Sequence, residues 1–324
     1  MIQIYNDSTD PYFNLALEEY LLDSMPEEVF MLWRNDKAVV VGKNQNTLSE
    51  VNRPYAEANG IAVVRRLTGG GAVFHDLGNL CYTFILNDAR GLFSRFEALA
   101  APILKALAFY GVKAEFSGRN DLTIGGAKFS GNAQALYKGR LLHHGTLLFH
   151  TDFDRMSAVL NVDERKLSSK GIRSVKSRVT NIAEHADIDM DGFIDRLLSG
   201  DAGGGRRTRV SLSAADIAAA RKLAEEKYAS WDWNYGYSPG YSFHNAVCAA
   251  AGLVEVYLDV SKGLIKRAKF YGDFFFEKDV SDIEKALLGA KHSREGVTAA
   301  LGGFDIDAYF KGVSLEEILT CLGV

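Results

Sequence analysis

The chain has 324 residues, 47% of them hydrophobic and 24% charged, which fills one large domain or two ordinary ones and excludes wholesale disorder. A net charge of −4 excludes a general nucleic-acid binder while leaving room for a local basic site. Cys81, Cys248 and Cys321 are widely spaced and form no CxxC pair, no apolar run is long enough to span a membrane, and the N-terminus lacks a basic-then-apolar signal pattern. The expectation is a cytoplasmic protein with buried or free thiols.

In chain order, Asp10-Pro11 predicts the start of a helix running to Asp23. Val29 to Trp33 and Ala38 to Gly42 predict strands, and Arg53 to Asn59 a short helix closed by Gly60. Ile61 to Arg66 predicts a strand that delivers two arginines to Gly69-Gly70-Gly71, and Leu80 to Leu86 another strand. Ser94 with Glu97 matches a capping box for a helix to about Tyr110. Four strands follow, Ala114 to Ser117, Asp121 to Ile124, Ala127 to Leu136 and Arg140 to Phe149, joined at Gly125-Gly126 and Lys138-Gly139 in a largely antiparallel run. Helices are expected over 152–160 and 190–198, a flexible surface loop at Gly203 to Arg207, and a helix from Ser213 to about Tyr228. A boundary is expected near Tyr237-Ser238-Pro239-Gly240, separating residues 1–240 from a small α+β unit at 241–324. In that unit Val254, Val256, Leu258 and Val260 alternate along a strand that returns over 264–271. Ser281 with Glu284 and Ser314 with Glu317 match two more capping boxes. The first unit is expected to have one main sheet with flanking helices.

Four stretches can carry chemistry. Three consecutive glycines after Arg65-Arg66 cost backbone entropy and add no side chain, so bare N–H groups beside an arginine fork suit an anion. A turn with two solvated arginines is nearly as good an account of that loop alone. Lys128 lies among Gly125, Gly126, Ala127 and Gly131, where a ligand can lie against the strand, or where a hairpin simply carries a solvated lysine. Asn120-Asp121 adds a polar pair that suits a metal-bound phosphate or an Asx turn. From Arg165 to Ala183 there are six basic residues and no acidic residue, as in a solvated charge run or a loop that folds over a polyanion. His143-His144 sits in a strand pattern, so at most one imidazole faces a given site, and no second ligand pair is spaced for zinc.

The signatures of P-loop, Rossmann, zinc-protease and α/β-hydrolase sites are all missing. Taken together, RRLTGGGAVFHDLGN, GRNDLTIGGAKFSGNA, HHGTLLF and KGIRSVKSRVTNI stand in the order shown by the lipoate–protein ligase family, which the chain resembles over nearly its whole length. WRNDKAVVVGKNQN and WDWNYGYSP fit the same pattern. The resemblance implies the α/β (α+β) biotin/lipoate ligase fold, related in architecture to class II aminoacyl-tRNA synthetases, with a small C-terminal accessory domain. It implies two steps. Lipoate attacks the α-phosphate of ATP, with Mg2+, to give lipoyl-AMP and pyrophosphate. A lysine of an acceptor, a lipoyl domain of a 2-oxoacid dehydrogenase or the glycine-cleavage H protein, then takes the acyl group and releases AMP.

By the same resemblance Lys128 is the catalytic cation, stabilising the charge that builds on the phosphate and then on the acyl oxygen. Arg66 holds the lipoyl carboxylate or the adenylate phosphate, and Thr68, Gly69, Gly70 and Gly71 form the loop over the acyl carbonyl. Trp33 and His144 flank the dithiolane tunnel. Ala72, Val73, Phe74 and His75 line the adenine side through their backbone. Asn79, Asn120 and Asp121 surround the nucleotide, with Asp121 the Mg2+ ligand, and Lys170, Arg173 and Arg178 belong to a loop that closes on the adenylate. A monomer without nucleic-acid or membrane partners is expected. An octanoyl transferase of the same fold is the nearest rival, but none of the cysteines lies in the loop after HHGT, where its nucleophile would be sought. An RNA-binding module built on the basic stretch is weakened by the acidic net charge and the lack of aromatic residues there.

Overall fold

The computed structural model describes residues 1–45, 47–161, 178–200, 207–235, 243–261 and 264–324. The flexible loop expected around 203–206 and the joint at 237–240 lie outside the described residues. The expected helix start is made by the Asp10 carboxylate, which accepts the N–H groups of Tyr12 at 2.9 Å and Phe13 at 3.4 Å, with Pro11 in the first turn of helix Pro11–Ser24.

An eight-stranded mixed sheet forms the centre. Its strands are β1 (Ile2–Tyr5), β2 (Val29–Trp33), β6 (Asn79–Leu86), β7 (Ala114–Ser117), β8 (Asp121–Ile124), β9 (Ala127–Tyr137), β10 (Arg140–Leu148) and β11 (Thr208–Arg209), in the order β11-β1-β2-β6-β10-β9-β8-β7. A separate three-stranded sheet, β4-β3-β5, consists of β3 (Ala38–Val41), β4 (Ala62–Arg65) and β5 (Val73–His75). The expectation of one main sheet is therefore corrected: the arginines and glycines ride on the smaller sheet. The loop after β4 carries the chain across β3, so β5 pairs antiparallel on the other side of it, Val40 with Val73.

The large sheet is buried on both faces. Along β2, Phe30 and Leu32 join the core beneath helices Phe96–Phe109 and Met190–Leu198, while Val29, Met31 and Trp33 join the core beneath helix Pro11–Ser24 and the helix Ala214–Leu223. Period-two alternation is thus hidden, because both sets of side chains are apolar. Each fully buried leucine or phenylalanine contributes roughly 2 kcal/mol, so these two layers hold the site rigid.

The third sheet, β12 (Phe243–Ala249), β13 (Gly252–Ser261) and β14 (Leu264–Gly272), is antiparallel and has its own core of Val254, Val256, Leu258, Ile318 and Leu319. β12 has no strong sequence signal, since His244 and Asn245 interrupt its apolar residues.

The capping boxes at Ser213 and Ser314 form, each closed by the acidic side chain three residues on. Two expected caps do not. Ser94 sits at φ 65 and spends its N–H on Gln134 Oε1 at 2.7 Å, so helix Phe96–Phe109 starts without a side-chain cap. Ser281 lies inside its helix, where Asp279 accepts its N–H at 2.9 Å, and Glu284 instead accepts Phe270 N–H and Lys269. Arg207 is no solvated loop residue: its guanidinium lies 4.0 Å from the Phe30 ring centre.

Candidate active site

A cavity of about 320 Å3 opens between the large sheet and the small one. Strand β4 brings Arg65 and Arg66 to its edge pointing opposite ways, as neighbours on a strand must. Arg65 is fully buried away from the cavity. Its guanidinium donates to the carbonyls of Gly42, Lys43 and Gln45, to Thr47 Oγ1, and to the carbonyls of Trp233 and Asn234. It pins three chain segments together. Arg66 lines the cavity but donates to Thr68 Oγ1 and to the carbonyls of Val40, Gly69 and Gly71. The side chain expected to grip a carboxylate thus also shapes the glycine loop. Burial pushes its pKa down to about 10, while the negative charge of Glu18 works the other way.

The glycines are not equivalent. Gly70 has φ +90, and a Cβ there would press on the Arg66 guanidinium. Gly71 faces open space. Gly70 and Gly71 line the cavity, as do Ala72, Val73, Phe74 and His75. β5 is the edge strand of its sheet, so one side of its backbone is left for a ligand. Thr68 and Gly69 are fully or nearly enclosed behind this wall rather than on it.

At the charged end, Lys128 Nζ lies 2.6 Å from Asp121 Oδ1, and Arg178 donates to Asp121 Oδ2 at 2.9 Å. The β8–β9 hairpin sets this geometry, with a register shift at Leu122/Thr123 that places Lys128 opposite Thr123. The bare Cα of Gly131 leaves room for the ammonium, because a Cβ there would sit 2.9 Å from it. The chain after the basic stretch returns beside the lysine, with Thr180 N–H donating to the Lys128 carbonyl at 2.9 Å. Asn120 also lines the cavity. Lys170 and Arg173 lie outside the described residues.

At the closed end, Trp33, Leu15, Val40, Cys81 and His144 form a mainly apolar wall. Glu18 is a buried carboxylate behind it. It accepts hydrogen bonds from Thr83 Oγ1 at 2.7 Å and His144 Nδ1 at 2.9 Å, while Trp33 Nε1 donates to Thr83 and His144 Nε2 meets Thr68 Oγ1 at 2.7 Å. The relay runs from Trp33 to Arg66. These directions agree for an imidazole with its hydrogen on Nδ1. His143 faces the other side of the sheet, among Tyr82, Phe84 and Phe96, so only His144 serves this site. Burial depresses the pKa of His143 and of His75 to about 3 each. His75 packs its ring toward Trp33 and hydrogen-bonds Asn35 at 3.0 Å, so its side chain serves this wall and only its backbone is free for the adenine side.

Asn79 is fully buried, donates to Cys81 Sγ at 3.2 Å, and has no partner for its Oδ1 among the described residues. Glu18, Arg119, Asn132 and Asp273 have no local signal: each looks like an ordinary polar residue until the fold carries the last three to the cavity wall and Glu18 behind it. For Mg2+, the donors are hard oxygens but few. Among the described residues no cluster of three His, Cys, Asp or Glu could hold an ion by itself. Asp121 suits an ion that arrives on phosphates, since Mg2+ commonly takes one or two carboxylates plus phosphate oxygens.

Comparison with known proteins agrees with this layout. The sequence model described as "Lipoyl protein ligase A/B catalytic domain" matches residues 10–200, and "Bacterial lipoate protein ligase C-terminus" matches residues 238–322. Lipoate–protein ligase 1 of Staphylococcus aureus is 42% identical, covering 97% of each chain. Among solved structures, P. falciparum LipL1 in complex with lipoate is similar with a TM-score of 0.76 and 25% identity over 94% of each chain. A lipoate-protein ligase A bound with ATP gives a TM-score of 0.62 and 28% identity, covering 72% of this chain and 97% of that one. The fold is that of these ligases, and the chain belongs to the lipoate–protein ligase family.

Proposed function

We propose that this protein is an ATP-dependent lipoate–protein ligase, acting in two steps within the one cavity. The observation that carries this reading is the Lys128 ammonium, set 2.6 Å from Asp121 at the junction of a phosphate-suited mouth and an apolar pocket. The acyl chain lies along Trp33, Val40 and Cys81, with its carboxylate toward Gly70, Gly71 and the cavity edge of Arg66. The adenine rests on the exposed backbone edge of β5.

In the first step a carboxylate oxygen attacks the α-phosphorus and pyrophosphate leaves. In the second an acceptor lysine amine attacks the acyl carbon, loses a proton, and AMP leaves. Negative charge grows on the phosphoryl oxygens first and on the acyl oxygen next, and one fixed ammonium between them stabilises both transition states. To act, Lys128 must exchange part of its Asp121 contact for substrate oxygen. Asp121 then becomes available to Mg2+, whose chemistry is to neutralise phosphate charge. Arg178 stands at the end of the basic stretch, where that stretch can cover the adenylate and exclude water. Residues 1–240 are read as the catalytic domain and 241–324 as accessory. The acceptors are lipoyl domains and the H protein, the enzyme is a monomer, and its three unpaired cysteines suit the reducing cytoplasm.

The test is ATP–pyrophosphate exchange that requires lipoate, followed by transfer to an isolated lipoyl domain. No exchange, with acyl transfer from octanoyl carrier protein instead, would replace the ligase by a transferase. The state of Cys81 speaks against that outcome: burial, then the nearby Glu18 charge, push its thiol well above the ordinary range, which suppresses the thiolate.

A further inference from the structure

One part of the cavity wall is supplied from outside the catalytic half. Asp273, in the turn that leaves β14, is the one described lining residue beyond residue 240. Its Oδ1 accepts the N–H of Leu253 at 2.5 Å. Arg119 stands at the same mouth, its guanidinium carbon 4.6 Å from the centre of the Phe275 ring. The Cβ that Gly252 lacks would touch both the Asp273 carboxylate and the Arg119 guanidinium, so the two opposite charges crowd a single glycine. Packing around the guanidinium lowers its pKa although the residue as a whole is exposed, and Asp273, then Asp121, pull it back.

The charges at this mouth are nearly balanced within the protein. Among the described lining residues four cations, Arg66, Arg119, Lys128 and Arg178, stand against three carboxylates, Glu50, Asp121 and Asp273. Asp121 spans Lys128 and Arg178. Asp273 and Arg119 both lie beside Gly252, close enough for their charges to be felt by each other. A polyphosphate brings its own negative charge and has to take over these cations, and a guanidinium fork suits phosphate oxygens better than a flexible ammonium does.

We propose that Arg119 is a further phosphate-binding residue of the nucleotide site, and that the neighbouring Asp273 carboxylate competes electrostatically with phosphate for it. The identity of the nucleotide rests on the ligase reading above. The same turn anchors the small sheet. Gly272 N–H donates to the Asn44 carbonyl at 2.5 Å, and Lys43 Nζ is paired with Asp279 at 2.5 Å.

The test uses the full chain and titration calorimetry with Mg-ATP. Asp273→Asn keeps an oxygen for Leu253 N–H and removes only the charge. It is expected to tighten ATP about fivefold. Arg119→Met is expected to weaken ATP about tenfold. In the Arg119→Met background, Asp273→Asn is expected to change affinity less than about twofold, because its competitor is gone. Arg119→Lys, which keeps the charge without the fork, replaces Arg119→Met if the latter melts early. An unchanged affinity in Asp273→Asn, or the same tightening with and without the arginine, would overturn the proposal. Lipoate-dependent exchange by the wild type is read in parallel. Intact exchange with uncoupled affinities removes only this inference, and a wild type that bound no ATP would remove both.

Discussion

The two ends of the cavity solve opposite problems. The closed end satisfies its polar groups internally: Trp33, Thr83, Glu18, His144, Thr68 and Arg66 form one chain of hydrogen bonds behind an apolar wall. The mouth does not. Its cations are paired with carboxylates that a substrate must displace. A pocket for an apolar tail gains from rigidity, since reorganisation would only weaken binding. A site for successive charged groups needs partners that can be exchanged. Mutations at the closed end should therefore act on stability, and mutations at the mouth on turnover.

Lys128→Ala gives the largest expected effect. Adenylate formation should fall by about 10³-fold or more, with a nearly unchanged melting temperature, because the pair still reaches solvent and Asp121 keeps Arg178 as a partner. Near-normal exchange by this variant would erase the distinction between the two ends. Glu18→Ala tests the other side. Removing the hub of the relay leaves Thr83 and His144 without their acceptor and takes a buried counter-charge from Arg66, at about 3 kcal/mol of stability. Denaturant melts showing less than about 1 kcal/mol would mean that the relay is ornamental.

Acid sharpens the comparison next. His75 and His143 have folded pKa values of about 3, below the ordinary histidine value of 6.5. Between those limits the unfolded chain binds more protons than the folded one, so stability is full above pH 6.5 and falls on acidification. The slope is up to about 1.4 kcal/mol per pH unit for each ring. A melting temperature that stayed flat from pH 7 to pH 4.5 would contradict the burial of both. Smaller still is Gly70→Ala, expected to cost about 1 kcal/mol because of its positive φ and the crowding of Arg66. Gly71→Ala meets open space, so stability should stay within about 0.5 kcal/mol while lipoate or ATP binds more weakly. Equal effects of the two alanines on melting would show that the loop is uniform.

Local patterns made much of this legible. The β8–β9–β10 run and the Lys128 hairpin come from alternation and turn glycines that lie next to each other in the chain. The glycine triplet marks the loop, because nothing else explains bare backbone there. What spacing could not reveal was which side of a strand meets what. Arg65 and Arg66 are adjacent and chemically alike, yet one pins the scaffold and the other lines the cavity. The burial of Asn79 beside Cys81, with its Oδ1 unpartnered among the described residues, is likewise a matter of three-dimensional surroundings. Ser94 fits a capping pattern whose geometry its own positive φ defeats. Glu18 and Asp273 are invisible because their meaning comes from contacts with residues more than a hundred positions away.

The Arg65 staple bears on where the catalytic half can be severed. The match to the catalytic family model stops at residue 200, but three acceptors of this fully buried guanidinium and its backbone come from Trp233 and Asn234. A chain trimmed at the end of that match would strand a cation inside a dry interior, directly beneath the strand that bears the triple glycine. The smallest autonomous folding unit of the catalytic half therefore extends past residue 234, and the helical stretch before it belongs to the scaffold of the reaction rather than to a tether.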